Sequence, residues 1–467
     1  MSVARETALA PLARRILSLA WPVLVAQLAS IGMMVADTLV VGRHSTADLA
    51  AVAVGAGLYV TLMLGLAGVV QALGPVIGQH YGARRLDAIG PELRQGLWLA
   101  LYLAAAGMLL LACPHVLLAP ARLTPEVEAM AATYLQLLAW SLPASLGYRA
   151  FHATANALGH PRPLMYIAIV ETLTHACLAW ALVGGHLGLP PLGAAGAAVS
   201  QIVVTWGAML AGFWLLVRHP AFSVYRVFGQ FDKPSWPAQK ALLRLGIPMG
   251  FSYLVEISAF TLMALFIARL GPEVVSGHRI AANLSALTYM LPLSLALATG
   301  AQVAQAAGAS REALAWAAAR AGMALAAMLA LAVAALLWVL KIDIAELATT
   351  DPRVAAVAAG LIRYIAIYQF FDAVQTIAGF ALRAYKVSFL PLLIHLTCFW
   401  GLGLGLGYWL AFRAPTPQGA AGFWQAAVVS TVAAALLLGA LLIWVARQRQ
   451  RAQDGARAAP RAPALMT

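Results

Sequence analysis

Twelve apolar runs, each of a length that can cross a bilayer, divide this chain. They fall near residues 16–41, 50–80, 96–113, 129–157, 164–185, 194–217, 246–268, 276–307, 321–340, 358–382, 388–411 and 419–446. A hydrocarbon core about 30 Å thick takes roughly 20 helical residues to cross. Inside it, every backbone N–H and C=O must find its partner within the segment, so such runs fold as helices. Composition agrees: 62% of the 467 residues are hydrophobic and 10% are charged, against about 25% charged in soluble proteins. The sequence therefore predicts an all-α polytopic membrane protein with twelve transmembrane helices.

A net charge of +13 raises the question of nucleic acid. The positions of the basic residues answer it. With the N-terminus placed in the cytoplasm, most Lys and Arg fall in inner segments: Arg14 and Arg15, Arg84 and Arg85, the 218–245 stretch, and "ARQRQRAQ" after the last run. That is the bias that orients membrane proteins, so the charge reports topology, with both termini cytoplasmic, and a nucleic-acid partner is not expected. The opening "MSVARETALAPLARR" lacks the short apolar core and small-residue cleavage site of a secretory signal. Cys113, Cys177 and Cys398 all lie in apolar runs and read as packing residues, neither disulfides nor a metal site. No P-loop and no H-E-x-x-H occurs. "GLGLGLGYWL" (401–410) has close glycine spacing without a basic phosphate ligand and reads as helix packing.

The chain repeats itself. An offset of 226 residues lays "WPVLVAQL" on "IPMGFSYL", with Pro22 on Pro248, and continues through Arg43 on Arg269, Gln79 on Gln305 and Gly82 on Gly308. It also lays "GAAG" at 193–196 on "GAAG" at 419–422. Six spans per half is an even number, so both halves start on the same side, related by an axis along the membrane normal. Transporters are commonly built from such halves. The expected organisation is a six-helix bundle over 1–217, a cytoplasmic linker over 218–245, a second bundle over 246–446 and a basic, disordered tail over 447–467.

Only four acids fall well inside spans: Asp37, Glu171, Glu256 and Asp372. A carboxylate facing lipid near the bilayer centre costs roughly 2.5–3.5 kcal/mol, and intramembrane acids mark ion or proton pathways by default. In span ten, Tyr368, Asp372, Gln375, Thr376, Gly379 and Arg383 share one helical face. Asp372 and Glu256 lie near mid-depth, whereas Asp37, in "IGMMVADTLVVGR", is about a turn and a half from the outer loop. Structural readings stand beside these: Asp37 snorkelling outward, Asp372 paired with Arg383 or Arg279, Glu171 satisfying His175 four residues on, and His278–Arg279 as an interhelical anchor. An Asp37–Asp372 dyad lacks a supporting strained loop.

The sequence resembles the multidrug and toxic compound extrusion family, in its bacterial NorM-type branch, through "VADTLVVGRHS", "FSYLVEISAF", "HRIAANLSALTYMLPLSLALA" and "YQFFDAVQTIAGFALRAYK". The resemblance runs from about residue 12 to 446. It implies an antiporter of the bacterial inner membrane, not an enzyme, that exports lipophilic, often cationic drugs by alternating access against inward flow of protons or sodium. It carries the family's coupling acids onto Asp37, Glu256 and Asp372; the residues themselves add Tyr368, Glu171 and His175 as candidate neighbours in the cation and substrate sites. No cofactor is implied, a monomer in contact with membrane lipids is expected, and sodium, where used, falls to Glu256 and Asp372. The chain departs from the family in span five. Where two asparagines one turn apart are usual, "PLMYIAIVETLTHACLAWALVGG" has His175 and Ala179, with Glu171 added. Imidazole binds protons readily near pH 6.5 and is a poor sodium ligand. Protons are therefore the expected coupling ion of the N-terminal half, with Asp37 as carrier and His175 tuning it. The rivals are a lipid-intermediate flippase of the same superfamily and a membrane-embedded hydrolase.

Overall fold

In the computed structural model, which describes residues 7–188, 190–229 and 232–458, no strand occurs among the described residues. Eleven helical stretches are long and apolar enough to cross a membrane. They are spans one (Leu9–His44), two (Thr46–Gly82), three (Leu86–Ala112), five (Arg162–Gly184), six (Ala194–Arg218), seven (Trp236–Leu270), eight (Pro272–Gly308), nine (Glu312–Ala348), ten (Pro352–Ala384), eleven (Phe389–Phe412) and twelve (from Ala420). The missing crossing, span four, is present in two pieces, Pro125–Ala139 and Leu142–Ala157. It breaks at Trp140–Ser141, just before Pro143, which has no N–H to continue the ladder. Tyr59 of span two fills the break, its hydroxyl 2.7 Å from Ser141 Oγ and 3.1 Å from Ser145 Oγ. The fold is thus twelve crossings in two six-helix lobes.

The repeat is visible in the backbone. Arg84 and Ser310 both take positive φ (57° and 53°), as do Gly193 and Gly419 (54° and 57°), each pair one repeat apart. Gly193 and Gly419 begin spans six and twelve, so the "GAAG" repeats are two copies of one helix start.

At the end where the basic loops gather, the lobes lock together by the same contact made twice. Gly82 lies against the backbone of Gln305, and Gly308 against the backbone of Gln79, so closely that a Cβ at either glycine would strike the opposing carbonyl. Each glutamine then reaches across: Gln79 Nε2 donates to Ala384 O at 2.8 Å, and Gln305 Nε2 to Ala157 O at 2.7 Å. Only residues without a side chain permit this approach.

Two helices cross between lobes. The first turns of span one, with Leu12, Ile16 and Ala20, are buried among Leu295 and Ala298 of span eight and Ala317, Ala321 and Leu325 of span nine. Span seven does the reverse, with Gly246 and Gly250 against the backbone of Val69 and Gly65 in span two. The linker differs from the expected 218–245, because the helix of span seven already starts at Trp236. Its strap is bound to span three: Arg94 Nε donates to Asp232 Oδ2 at 2.6 Å, Trp98 Nε1 to Asp232 O at 2.9 Å, and Gln95 Nε2 to Lys233 O at 3.0 Å. The tail expected to be disordered from 447 is helical to Ala458. Its run of Ala, Arg and Gln has high intrinsic helix propensity, and Gln453 Nε2 donates to Ser310 O. Residues 459–467 lie outside the described ones.

Two other expectations are met in part. Cys398 is buried, but Cys113 and Cys177 are exposed on the apolar surface. The glycine-spaced stretch of span eleven packs against span twelve, Gly407 against Phe423 and Gly403 against Ser430, but Leu396–Leu406 winds as a wide π-helix, its Cys398 O accepting from Ser430 Oγ at 2.9 Å, and no heavy atom approaches Gly401.

Candidate functional site: two acid clusters, one per lobe

In the N-terminal lobe, span one brings Asp37 against span five. His175 Nε2 is 2.8 Å from Asp37 Oδ1. The imidazole is fully buried while the carboxylate keeps 17% of its surface, so the acid is the exposed member. On the other side of the ring, Nδ1 is 2.9 Å from Ser200 Oγ of span six, and that hydroxyl is also 3.1 Å from the His175 carbonyl. Thr172 Oγ1 donates to Ala29 O at 2.9 Å and fixes spans one and five in register below the pair. Asp37 therefore does not snorkel freely. Nor does Glu171 satisfy His175, which spends both ring nitrogens elsewhere; the charges facing Glu171 are those of Arg149 and His175. Ala179 is fully buried and brings no polar atom. Ser200 carried no signal in the sequence beyond being a hydroxyl in an apolar helix.

In the C-terminal lobe, the predicted face of span ten is buried along its length: Tyr368, Asp372, Gln375, Thr376, Gly379 and Arg383. Asp372 Oδ1 accepts from Gln375 Nε2 at 3.0 Å and from Tyr368 Oη at 3.4 Å. Gln375 Oε1 is held by His395 Nε2 of span eleven at 3.2 Å. Tyr368 packs edge-on against Phe260 and Trp424, with ring centroids 6.1 and 6.2 Å away. Glu256 of span seven is half-buried and close enough to Asp372 to feel its charge. The structural partners considered for Asp372 do not take it. Arg383 turns away, donating Nη1 to Tyr253 Oη at 2.9 Å and lying over the Phe380 ring at 4.6 Å. His278 does anchor helices, accepting from Trp424 Nε1 at 3.3 Å. The two aspartates of the considered dyad belong to different lobes and have separate partners.

Among the described residues, no group of three or more His, Cys, Asp and Glu converges to hold a metal ion. At Asp372 the oxygen of Gln375 is already engaged by His395 and its amide N–H points at the carboxylate. A sodium ion there would need that amide turned over, whereas a proton needs no rearrangement of the cluster.

Two pseudo-symmetric six-helix lobes, each with acids set within its spans, are the organisation on which membrane transporters are commonly built. The MatE family model matches residues 22–181 and 248–409. The chain is 51% identical over 445 residues to a probable multidrug resistance protein NorM of Aromatoleum aromaticum, covering 95% of this chain and 96% of that one. It is 35% identical to the multidrug resistance protein PmpM of Pseudomonas aeruginosa, covering 91% and 90%. Among solved structures, a eukaryotic MATE transporter superposes with TM-score 0.86 at 19% identity, over 96% of this chain and 99% of that one. An outward-facing multidrug resistance MATE transporter gives 0.85 at 19%, over 95% and 97%. The chain belongs to the MatE family, as its motifs led one to expect.

Proposed function

We propose that this protein is a proton-coupled antiporter that exports lipophilic, often cationic drugs by alternating access. The single observation that carries the reading is the Asp37–His175 pair, 2.8 Å apart between spans one and five, with the imidazole fully buried. The pair sets an imidazole, a proton-binding group and a poor sodium ligand, against a carboxylate that keeps part of its surface exposed. The multidrug names of its relatives support drugs as substrates. The C-terminal cluster of Glu256 and Asp372 is the second cation-responsive region, and sodium is the alternative ion there. Interlobe packing at the basic end supports a state accessible from the opposite face, with loops such as 83–88 and both termini in the cytoplasm.

The test is drug efflux from proteoliposomes under a pH gradient without sodium, against a sodium gradient at equal pH. Transport driven by the pH gradient alone is expected; transport driven only by sodium sinks the proton assignment. For orientation, a cysteine placed at Ala414 should react with an impermeant thiol reagent in intact cells, and one at Arg226 should not.

A further inference from the structure

We propose that His175, and not Asp37, takes up the proton of the N-terminal lobe, and that Ser200 is the positioning residue that lets it do so. This rests on the proton-coupled reading and names the group that holds the proton.

His175 has both ring nitrogens in contact, Nε2 with Asp37 and Nδ1 with Ser200 Oγ, and no surface exposed. A neutral imidazole has one N–H and one lone pair, while an imidazolium has two N–H groups and none. With Nε2–H directed at the Asp37 carboxylate, the neutral ring presents a lone pair at Nδ1, which must accept. The charged ring presents an N–H there, which must donate. A fixed donor or a fixed acceptor opposite Nδ1 would suit only one of these states, and a buried N–H facing another donor would be costly.

Ser200 suits both. Its single hydroxyl proton has two acceptors in reach, His175 Nδ1 at 2.9 Å and the His175 carbonyl at 3.1 Å. When the ring is neutral the hydroxyl donates to Nδ1. When the ring is charged the hydroxyl turns to the carbonyl, and its oxygen accepts from Nδ1–H. One proton is taken from water and becomes the second ring N–H. The only other change is rotation of one hydroxyl, and every buried polar group stays paired in both states. Asp37 remains ionised and offsets the positive ring.

The charged and titratable groups around the ring are few. Span one offers Asp37; span five itself offers Glu171, one turn away; span four offers Tyr134, which faces Asp37, and Arg149, which faces Glu171. Span six offers none near Ser200, its one ionisable side chain being Arg218 at the far end.

The experiment follows His175 in full-length protein in lipid nanodiscs, without transport. Ring ¹⁵N shifts, assigned by loss of the signal in His175→Gln, report imidazolium; the infrared C=O band that Asp37→Asn removes reports a protonated Asp37. On acidification His175 should charge while no Asp37 acid band appears. Ser200→Ala removes a hydroxyl bond to either state, but the bond to the charged ring is roughly twice as strong. The midpoint should therefore fall by about one pH unit, a tenfold weaker hold on the proton. Ser200→Thr should restore it. An Asp37 acid band with a neutral ring, or a midpoint unmoved in Ser200→Ala, overturns the proposal. Efflux driven only by sodium would defeat the coupling reading and leave these titrations as they are, so the two failures are distinguishable.

Discussion

The two lobes share a backbone and divide their chemistry. Residues one repeat apart take the same positive φ and close the same interlobe contact, yet the acids do not correspond. The place of Asp37 is taken by Met263 in the second half, and that of Glu256 by Ser30 in the first. The N-terminal acid is held by a basic ring with a carboxylate edge exposed. Asp372 is buried among neutral donors, and its neighbour Glu256 has no ion-pair partner among the described residues. Symmetric helices satisfy packing, which each lobe needs equally. The intramembrane acids stand at places where the repeat is broken.

If this division is right, substitutions in the acid clusters should act unequally between lobes, and substitutions in the shared scaffold should act as matched pairs. The largest effect is expected in the C-terminal cluster, where Asp372→Asn and Glu256→Gln should each abolish gradient-driven efflux from proteoliposomes at normal yield. Full efflux in both would mark these acids as structural. Next comes His175→Asn, which restores an amide of the kind usual in the family. Efflux driven by a pH gradient should drop at least about tenfold, since no group of suitable proton affinity remains beside Asp37; unchanged efflux would remove the histidine from the coupling step.

The matched pairs are milder. Gly82→Ala and Gly308→Ala each push a methyl into a backbone carbonyl, at a cost of about 1–3 kcal/mol. Their thermal midpoints in detergent should fall by similar amounts. Gln79→Ala and Gln305→Ala each remove one interlobe hydrogen bond, worth about 1 kcal/mol. Their unfolding shifts should match each other, and a marked inequality in either pair would mean that the lobes carry unequal mechanical load.

Most of the fold was legible because the bilayer enforces it: run length gave the crossings, and the repeat gave their grouping. The interruption of span four and the π-helix of span eleven were hidden. Pro143 looks like any kink in a helix, and a π-helix adds no residue pattern of its own. The face of span ten could be read because helical spacing fixes which side chains share a side. Partners across helices could not. Nothing local in the sequence tells Asp37 that His175 lies beside it, or turns Arg383 toward Tyr253 instead of Asp372. Ser200 is the plainest case, since a serine among alanines and valines acquires meaning only from the ring it faces.

The crossing of span one into the second lobe has a consequence for how the chain is made. Leu12 and Ile16 are made about 300 positions before the residues that bury them on span nine. Contacts so distant in sequence form late and slowly. Until spans eight and nine are made, the leading turns of span one lack the residues that bury them. The N-terminal bundle is therefore unfinished until most of its twin has been inserted, and the chain matures as one unit, not as two domains completed in turn.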